Sequence, residues 1–272
     1  MHFASFDKMD AFCRAYLAPY QKEPLHILDV GSAAVERSST YREIFARPPW
    51  RYVGADIAAA RNVDVVLNDP YDWRELDDQE FDVVVSGQAF EHIEYVWLTI
   101  LEIARVLKTN GLAVLIAPSR GHVHRHPVDC WRFYPDGLPA LARYAGLETL
   151  ESHVQQAMAY PGRIQWGDAV LIARRPQRSV ADEAACTARN WAAKLTVKPN
   201  LKADELGAPR FTPAARAASV IAPANGLDAI GARERERIAA LSGWRVRAAI
   251  SWRHLRRAWD AIYRPFAKLT QV

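Results

Sequence analysis

The fold of this chain is decided by the stretch HILDVG, residues 26–31. A short apolar segment has an acid, Asp29, next to its last residue, Val30. Gly31 and a polar loop follow. Glycine at the carboxyl end of such a strand lets the backbone turn tightly and approach a ligand closely. The stretch therefore predicts the first strand of a nucleotide-binding α/β domain.

A second aliphatic segment, YVGADI at residues 52–57, also ends in an acid, Asp56, which follows Gly31 by 25 residues. In nucleotide-binding α/β folds, an acid at the tip of the second strand binds ribose hydroxyls. Together the two segments predict a strand–helix–strand unit that binds an adenosine-containing cofactor.

The loop after Gly31 narrows the choice of cofactor. A dinucleotide pyrophosphate requires further glycines so that a helix N-terminus can meet the phosphates, and the next glycine here is Gly54. A loop with one glycine, flanked by Asp29 and Glu36, suits a ligand that has no phosphate and a net positive charge. S-adenosylmethionine fits this description, although an ordinary buried strand and turn remains an alternative explanation of the same residues.

Five segments in order extend the pattern: HILDVGSAA, YVGADI, VVLNDPYDW, FDVVVSGQAFEHI and EIARVLKTNGLAVLIAPS. Over residues 24–175 the chain resembles class I S-adenosylmethionine-dependent methyltransferases of the small-molecule type. The stretch 124–137, HRHPVDCWRFYPDG, resembles members found among surface-polysaccharide biosynthesis genes. Two departures are Ala33, where many members have a second loop glycine, and Thr109-Asn110-Gly111 in place of a Pro-Gly-Gly turn.

Alternating strand and helix patterns, together with the resemblance, predict an α/β fold. The expected form is a Rossmann-like, doubly wound, mostly parallel seven-stranded sheet with an antiparallel edge strand and a helical C-terminal appendage. Strands are expected at 26–30, 51–56, 63–67, 81–86, 112–117, 147–153 and 169–174, and helices at 5–17, 96–107 and 135–144. The cofactor-binding domain is expected to span 1–175, followed by a loop-rich segment and a C-terminal helix over 176–272.

Composition indicates a cytoplasmic enzyme. The chain has 272 residues, of which 50% are hydrophobic and 24% charged, and a net charge of +4. A run of about 18 apolar residues that could cross a bilayer is absent from the sequence, and the first residues do not resemble a signal peptide. The three cysteines are scattered without zinc or disulfide spacing, which favours a reducing compartment.

The pattern of residues 241–266 predicts a basic amphipathic helix. Apolar side chains recur at helical spacing, and arginines fill most of the remaining surface. The apolar set is Leu241, Ala248, Trp252, Leu255, Trp259, Ile262 and Phe266. Three interpretations remain open: a stripe packed on the core or on a second subunit, a peripheral membrane contact, and a nucleic-acid contact. The third is not expected, because no nucleic-acid motif accompanies the charge.

The resemblance also implies site residues. In similar methyltransferases the start of the segment after the fourth strand lines the methionine part of the cofactor, and a histidine near its end faces the substrate. The cofactor candidates are Asp29, Gly31, Ser32, Asp56, Ile57, Asp69 and Gln88. Ile57 is expected to cover the adenine and Asp69 to accept from its amino group. His92 is the first candidate base, since the pKa of histidine lies near cellular pH.

The loop after the fifth strand provides further candidates. His126, with Asp129 as its orienting carboxylate, is the second candidate base, and His124, Trp131 and Arg132 are expected to bind the acceptor. The histidines and Asp129 could also bind a metal, but methyl transfer from a sulfonium needs none, so no metal site is predicted. In a third interpretation the aromatic residues only pack under the next helix while Asp129 and Arg132 form an ion pair.

The predicted activity is methyl transfer from S-adenosylmethionine to a small-molecule or glycan acceptor, with a hydroxyl as the expected target. Two alternatives from other classes remain open. A nicotinamide-dependent dehydrogenase shares the sheet but should have more glycines after Gly31. A non-catalytic scaffold subunit could keep the fold and lose the cofactor.

Overall fold

The structure, a computed structural model, describes residues 3–34, 38–155 and 166–195. Its centre is a seven-stranded sheet in the order β3-β2-β1-β4-β5-β7-β6. The strands are β1 His26–Val30, β2 Arg51–Asp56, β3 Val65–Val66, β4 Phe81–Gly87, β5 Leu107–Pro118, β6 Glu148–Val154 and β7 Asp168–Arg174. This confirms the predicted doubly wound sheet.

Strands β1 to β5 pair in parallel, whereas β7 runs antiparallel to both of its neighbours, β5 and β6. The antiparallel strand therefore lies one position inside the edge that β6 forms. Because β7 runs the opposite way, its first residue, Asp168, pairs with Pro118 at the end of β5. Asp168 thus lies at the edge where the parallel strands end, which is where open α/β sheets bind ligands.

Helices cover both faces of the sheet. They are α1 Phe3–Tyr16, α2 Arg42–Phe45, α3 Val96–Val106, α4 Gly137–Tyr144 and α5 Val180–Leu195, with 3₁₀ turns at Ala18–Tyr20 and Phe90–His92. One buried cluster joins α3 and α4 to side chains such as Leu28, and a second joins α1 and α2 to side chains such as Ile27. Successive residues of a strand point to opposite faces, so a strand covered on both sides reads as a continuous apolar run.

The predicted bounds agree with β1 and β2 and differ elsewhere for local reasons. Strand β5 begins at Leu107 rather than 112, because α3 ends at Val106 and the following residues continue directly as strand. Helices α2 and α5 had no predicted bounds, although a helix was expected between the first two strands. The proposed boundary at residue 175 stays a prediction, and the predicted amphipathic helix over 241–266 lies outside the described residues. Within the described ranges no helix is long and apolar enough to cross a membrane.

Candidate active site

The turn after β1 requires glycine. Gly31 has a φ of +76°, and a Cβ placed there would lie 2.4 Å from Cβ of Ala89. The amides of Gly31 and Ser32 both donate to the carbonyl of Ala55 in β2, at 2.9 and 3.1 Å. These bonds hold the turn against the neighbouring strand and leave no room for a side chain at Gly31.

Asp56 lies at the end of β2, next to this turn. Its carboxylate accepts from the amide of Ala33 at 3.0 Å and from the amide of Ala58 at 3.2 Å. The acid therefore connects the loop after β1 to the loop after β2. Ile57 follows it with a side chain that is about half exposed.

Asp29 is buried at the end of β1. Its Oδ2 accepts from the hydroxyl of Tyr52 at 2.5 Å, and the side-chain amide of Asn62 donates to that hydroxyl at 3.0 Å. Asn62 also donates to the carbonyl of Ser32, at 2.9 Å. Burial raises the pKa of Asp29 to about 7, although the bond from Tyr52 lowers it. Burial thus favours the protonated form of Asp29 relative to an exposed aspartate.

Neither Tyr52 nor Asn62 was predicted to support the site. Tyr52 lies in the YVGADI segment and pairs with Ile27 across the parallel strands, two residue pairs before Asp29. The register of the predicted sheet could therefore have indicated Tyr52. Asn62 reaches the site from the loop after β2 through a left-handed conformation, with a φ of 78°, and nothing local in the sequence marks it.

Gln88 connects the end of β4 to β7. Its Nε2 donates to Oδ1 of Asp168 at 3.2 Å, while Lys8 from α1 donates to Oδ2 of Asp168 at 2.9 Å. The other amide atom of Gln88, Oε1, is buried without a hydrogen-bond partner among the described residues. An unpaired buried acceptor is free to bind a ligand donor. Lys8 and Asp168 were missed because only the folded sheet brings them to this edge.

Asp69 lies in the segment after β3. Its Oδ1 accepts from the amide of Tyr71 at 2.7 Å. The residue lines a cavity of about 510 Å³ together with Arg105 and the side chains of α5, including Trp191 and Lys194. Six of the seven cofactor candidates thus lie in or directly after β1, β2 and β4, and Asp69 follows β3.

Two loops bring the histidines together beyond β4 and β5. The ring of His92 has its centroid 4.8 Å from that of His124 and 5.5 Å from that of His126. The loops are joined by a 2.6 Å contact between Nδ1 of His92 and the carbonyl of Val128, and by a 2.7 Å bond from the amide of Cys130 to the carbonyl of Glu91. Burial lowers the pKa of His92 and that of His124, so both rings are neutral at physiological pH.

Asp129 and Arg132 form a bidentate ion pair, with distances of 2.5 and 2.8 Å. Burial opposes ionisation of Asp129, but the bonds from Arg132 and from the His124 amide lower the pKa of its carboxyl. Oδ2 of Asp129 lies 3.4 Å from Nδ1 of His124. The carboxylate is therefore next to His124 rather than His126. The ion pair is the one that the packing interpretation expected.

Trp131 fixes the position of the loop. Its indole nitrogen donates to the carbonyls of Ile93 and Glu94, at 2.9 and 3.1 Å. The ring meets Trp97 edge to face at 6.2 Å, and 37% of the residue is exposed. One side of the indole thus holds the two loops together while another part faces outward.

Glu91 is the residue of this region that sequence reasoning missed. It is fully buried, and both carboxylate oxygens lack a hydrogen-bond partner among the described residues. Its Oε1 lies 3.7 Å from Nε2 of His92. Burial raises the pKa of Glu91 to about 7. The only sequence signal was its place beside His92 in the segment after β4.

Comparison with known proteins identifies the domain. Residues 28–115, from β1 into β5, match the family model described as a methyltransferase domain. The chain therefore contains a methyltransferase domain. Its cofactor is S-adenosylmethionine. The match favours this activity over the dehydrogenase and the non-catalytic scaffold.

Several solved structures have a similar fold. A 1,6-didemethyltoxoflavin-N1-methyltransferase from Burkholderia thailandensis, with bound 1,6-didemethyltoxoflavin and S-adenosylhomocysteine, is 17% identical, over 64% of this chain and 79% of its own, with a TM-score of 0.48. A methyltransferase from Archaeoglobus fulgidus is 19% identical, over 62% of this chain and 93% of its own, with a TM-score of 0.43. No curated protein matches the sequence significantly.

Proposed function

We propose that this methyltransferase acts on a hydroxyl group of a small-molecule or glycan acceptor, and that the acceptor binds at the histidine cluster His92, His124 and His126. The observation that supports the proposal is the convergence of these three rings from two loops, with centroids 4.8 to 5.9 Å apart. They lie beyond the ends of β4 and β5, beside the edge where the cofactor candidates collect. An imidazole near a reacting hydroxyl is suited to accept its proton.

On the cofactor side, Asp56 accepts from the ribose hydroxyls while Asp29 and the backbone of Gly31 and Ser32 bind the amino-acid end. Ile57 covers the adenine, and Asp69 accepts from its amino group. Gln88 contributes its unpaired Oε1 to the methionine part. A cationic cofactor suits this edge because a bound ammonium favours the ionised form of Asp29.

On the acceptor side, His92, His124, Trp131 and Arg132 surround the hydroxyl. The oxygen attacks the methyl carbon in line, the carbon–sulfur bond breaks, and its electron pair stays on sulfur to give S-adenosylhomocysteine. His126 takes the hydroxyl proton, and because His126 is exposed it can pass the proton to water. Aligning oxygen, carbon and sulfur provides most of the acceleration, and the base adds about 10²–10⁴-fold.

Asp129 has a positioning role in this scheme. It holds His124 through contacts at its amide and ring, and Arg132 holds Asp129 in turn. Removing Asp129 would therefore change the acceptor side without touching the cofactor. The proposal further includes a cytoplasmic location, with the C-terminal stripe covered by the core, a second subunit or a membrane surface.

The test is a panel of sugars, phenols, amines and carbon acids incubated with labelled S-adenosylmethionine. Transfer to hydroxyl compounds is expected. With such an acceptor, His126→Ala should lower turnover by about a hundredfold or more and leave cofactor affinity unchanged. Val123→Ala, an exposed change in the same loop, is the matched control and should retain activity. Labelling confined to amines or carbon acids, or full activity of His126→Ala, would contradict the proposal.

A further inference from the structure

Three side chains after β4 and β5 bring ligand atoms close together. One atom from each of Glu91, His92 and His124 lies within 4.8 Å of the other two. We propose that these residues bind a divalent transition-metal ion such as Zn²⁺. Two imidazoles and one carboxylate form a common ligand set for such ions, and the set leaves coordination positions open.

The strongest reason is the state of Glu91. Its side chain is completely buried, and neither oxygen has a hydrogen-bond partner among the described residues. A buried carboxylate without partners is unfavourable unless it is protonated or meets a cation. A metal ion between Oε1 of Glu91 and Nε2 of His92, which are 3.7 Å apart, would satisfy it.

His92 is already oriented as metal ligands usually are. Its Nδ1 contacts the carbonyl of Val128 at 2.6 Å, so Nδ1 carries the hydrogen and Nε2 keeps its lone pair. Nδ1 of His124 lies 3.4 Å from Oδ2 of Asp129 and 3.5 Å from Nη2 of Arg132, so both groups lie beside this ring. Partners of this kind on the second ring nitrogen fix the tautomer and the ring direction of metal-binding histidines.

The assignment departs from the sequence-based expectation. From the sequence, no metal site was predicted, and the carboxylate considered as a ligand was Asp129. The structure instead engages Asp129 with Arg132 and places it behind His124, while Glu91 occupies the space beside His92. Glu91 and His92 are consecutive in the segment after β4, whereas His124 comes from the loop after β5, so only the fold brings the three side chains together.

The ion also has a use in the proposed reaction. An acceptor hydroxyl in an open coordination position would be polarised and held toward the methyl group, with His126 left free to take the proton. His92 would then contact the acceptor through the ion. This use depends on the proposed function, whereas binding of the ion does not.

The experiment titrates Co²⁺ into the full-length protein after treatment with a chelator, and follows the visible d–d absorption. One ion per chain is expected to bind, and Zn²⁺ should displace it. His124→Ala and Glu91→Gln should each weaken Co²⁺ binding at least tenfold. Asp129→Asn, which removes the charge behind His124, should weaken it by about 10–100-fold. His122→Ala is the matched control, because His122 lies in the same loop with its ring 6.1 Å from that of His124, and it should bind as the wild type does.

Affinity for S-adenosylmethionine, measured by calorimetry on the same samples, checks that each variant is folded. If Glu91→Gln fails this check, His124→Ala in the exposed loop decides. Absence of saturable Co²⁺ absorption in the wild type would overturn the proposal. Equal binding by His124→Ala and wild type, or loss of binding in His122→Ala alone, would do so too. Co²⁺ binding without transfer to any hydroxyl would leave the metal site standing and refute the proposed function instead.

Discussion

Asp29→Asn tests the electrostatics of the cofactor edge through its effect on stability. In the folded protein, burial raises the pKa of Asp29 from 3.8 to about 7, against the lowering effect of the bond from Tyr52. Asp56 raises the pKa further, and Arg42 lowers it. In the unfolded chain the pKa of this carboxyl returns to its ordinary value. Between about pH 4 and pH 7 the folded protein therefore retains a proton that the unfolded chain releases.

The direction in which the free energy of unfolding changes with pH depends on whether the folded or the unfolded state holds the proton. Below about pH 4 both states are protonated and Asp29 has no effect on the pH dependence. Between about pH 4 and pH 7 the folded state binds the extra proton, so the free energy of unfolding falls as pH rises. Above pH 7 both states are ionised, and the loss is complete. A pKa raised from 3.8 to about 7 corresponds to about 4 kcal/mol, since one pKa unit is about 1.4 kcal/mol.

The assay is chemical denaturation of wild type and Asp29→Asn at pH 5, 6, 7 and 8. The difference in unfolding free energy should shift in favour of the variant by about 1.4 kcal/mol per pH unit up to pH 7 and then level off. Glu91, whose pKa burial also raises, is present in both proteins and cancels in the difference. The same variant should bind S-adenosylmethionine about ten- to a hundredfold more weakly at pH 8, through loss of a charge-assisted hydrogen bond. If the difference in unfolding free energy between the two proteins does not change with pH, burial does not raise the pKa of Asp29 in the folded protein.

Three further changes test other parts of the structure. Asp56→Ala should weaken S-adenosylmethionine binding about ten- to a hundredfold in calorimetry, and unchanged affinity would remove Asp56 from the site. Gly31→Ala should lower the melting temperature and the cofactor affinity, because φ is +76° and the new Cβ would lie 2.4 Å from that of Ala89. Gly137→Ala is the matched control and should be tolerated, because its Cβ would meet Phe133 at 3.7 Å. Replacing Trp252 and Trp259 together by Glu should lower the melting temperature, change the mass in solution or abolish binding to anionic vesicles, according to what covers the stripe; no change in any of the three would contradict a covered stripe.

The sheet could be predicted because its signals are local. Residues 26–30 and 51–56 are short apolar runs that end at acids, and both strands have these bounds in the structure. Parallel strands buried on both faces leave a continuous apolar pattern that is visible in one dimension. Helix α2, with four residues, and helix α5, in a segment rich in alanine and charge, have no comparably clear pattern.

The site residues could be predicted only where an acid or a glycine suited to cofactor binding lies at the end of a predicted strand. Asp29 and Asp56 lie at the carboxyl ends of β1 and β2 and Gly31 follows β1, so the topology alone brings them to one edge. Asp168 is different, because it reaches the same edge at the start of a strand that runs the opposite way. Glu91 was visible in the sequence, but its importance comes from complete burial without a hydrogen-bond partner among the residues that the structure describes, which is a property of the folded structure.

The most direct test of hydroxyl methylation at the histidine cluster is transfer from S-adenosylmethionine carrying a ¹³C-labelled methyl group, with the product analysed by NMR. We expect the label to appear as a methoxy carbon on the acceptor, and we expect His126→Ala to abolish most of this signal while still binding the cofactor. A label attached to nitrogen or carbon, or cofactor binding without transfer to any hydroxyl acceptor, would contradict hydroxyl methylation.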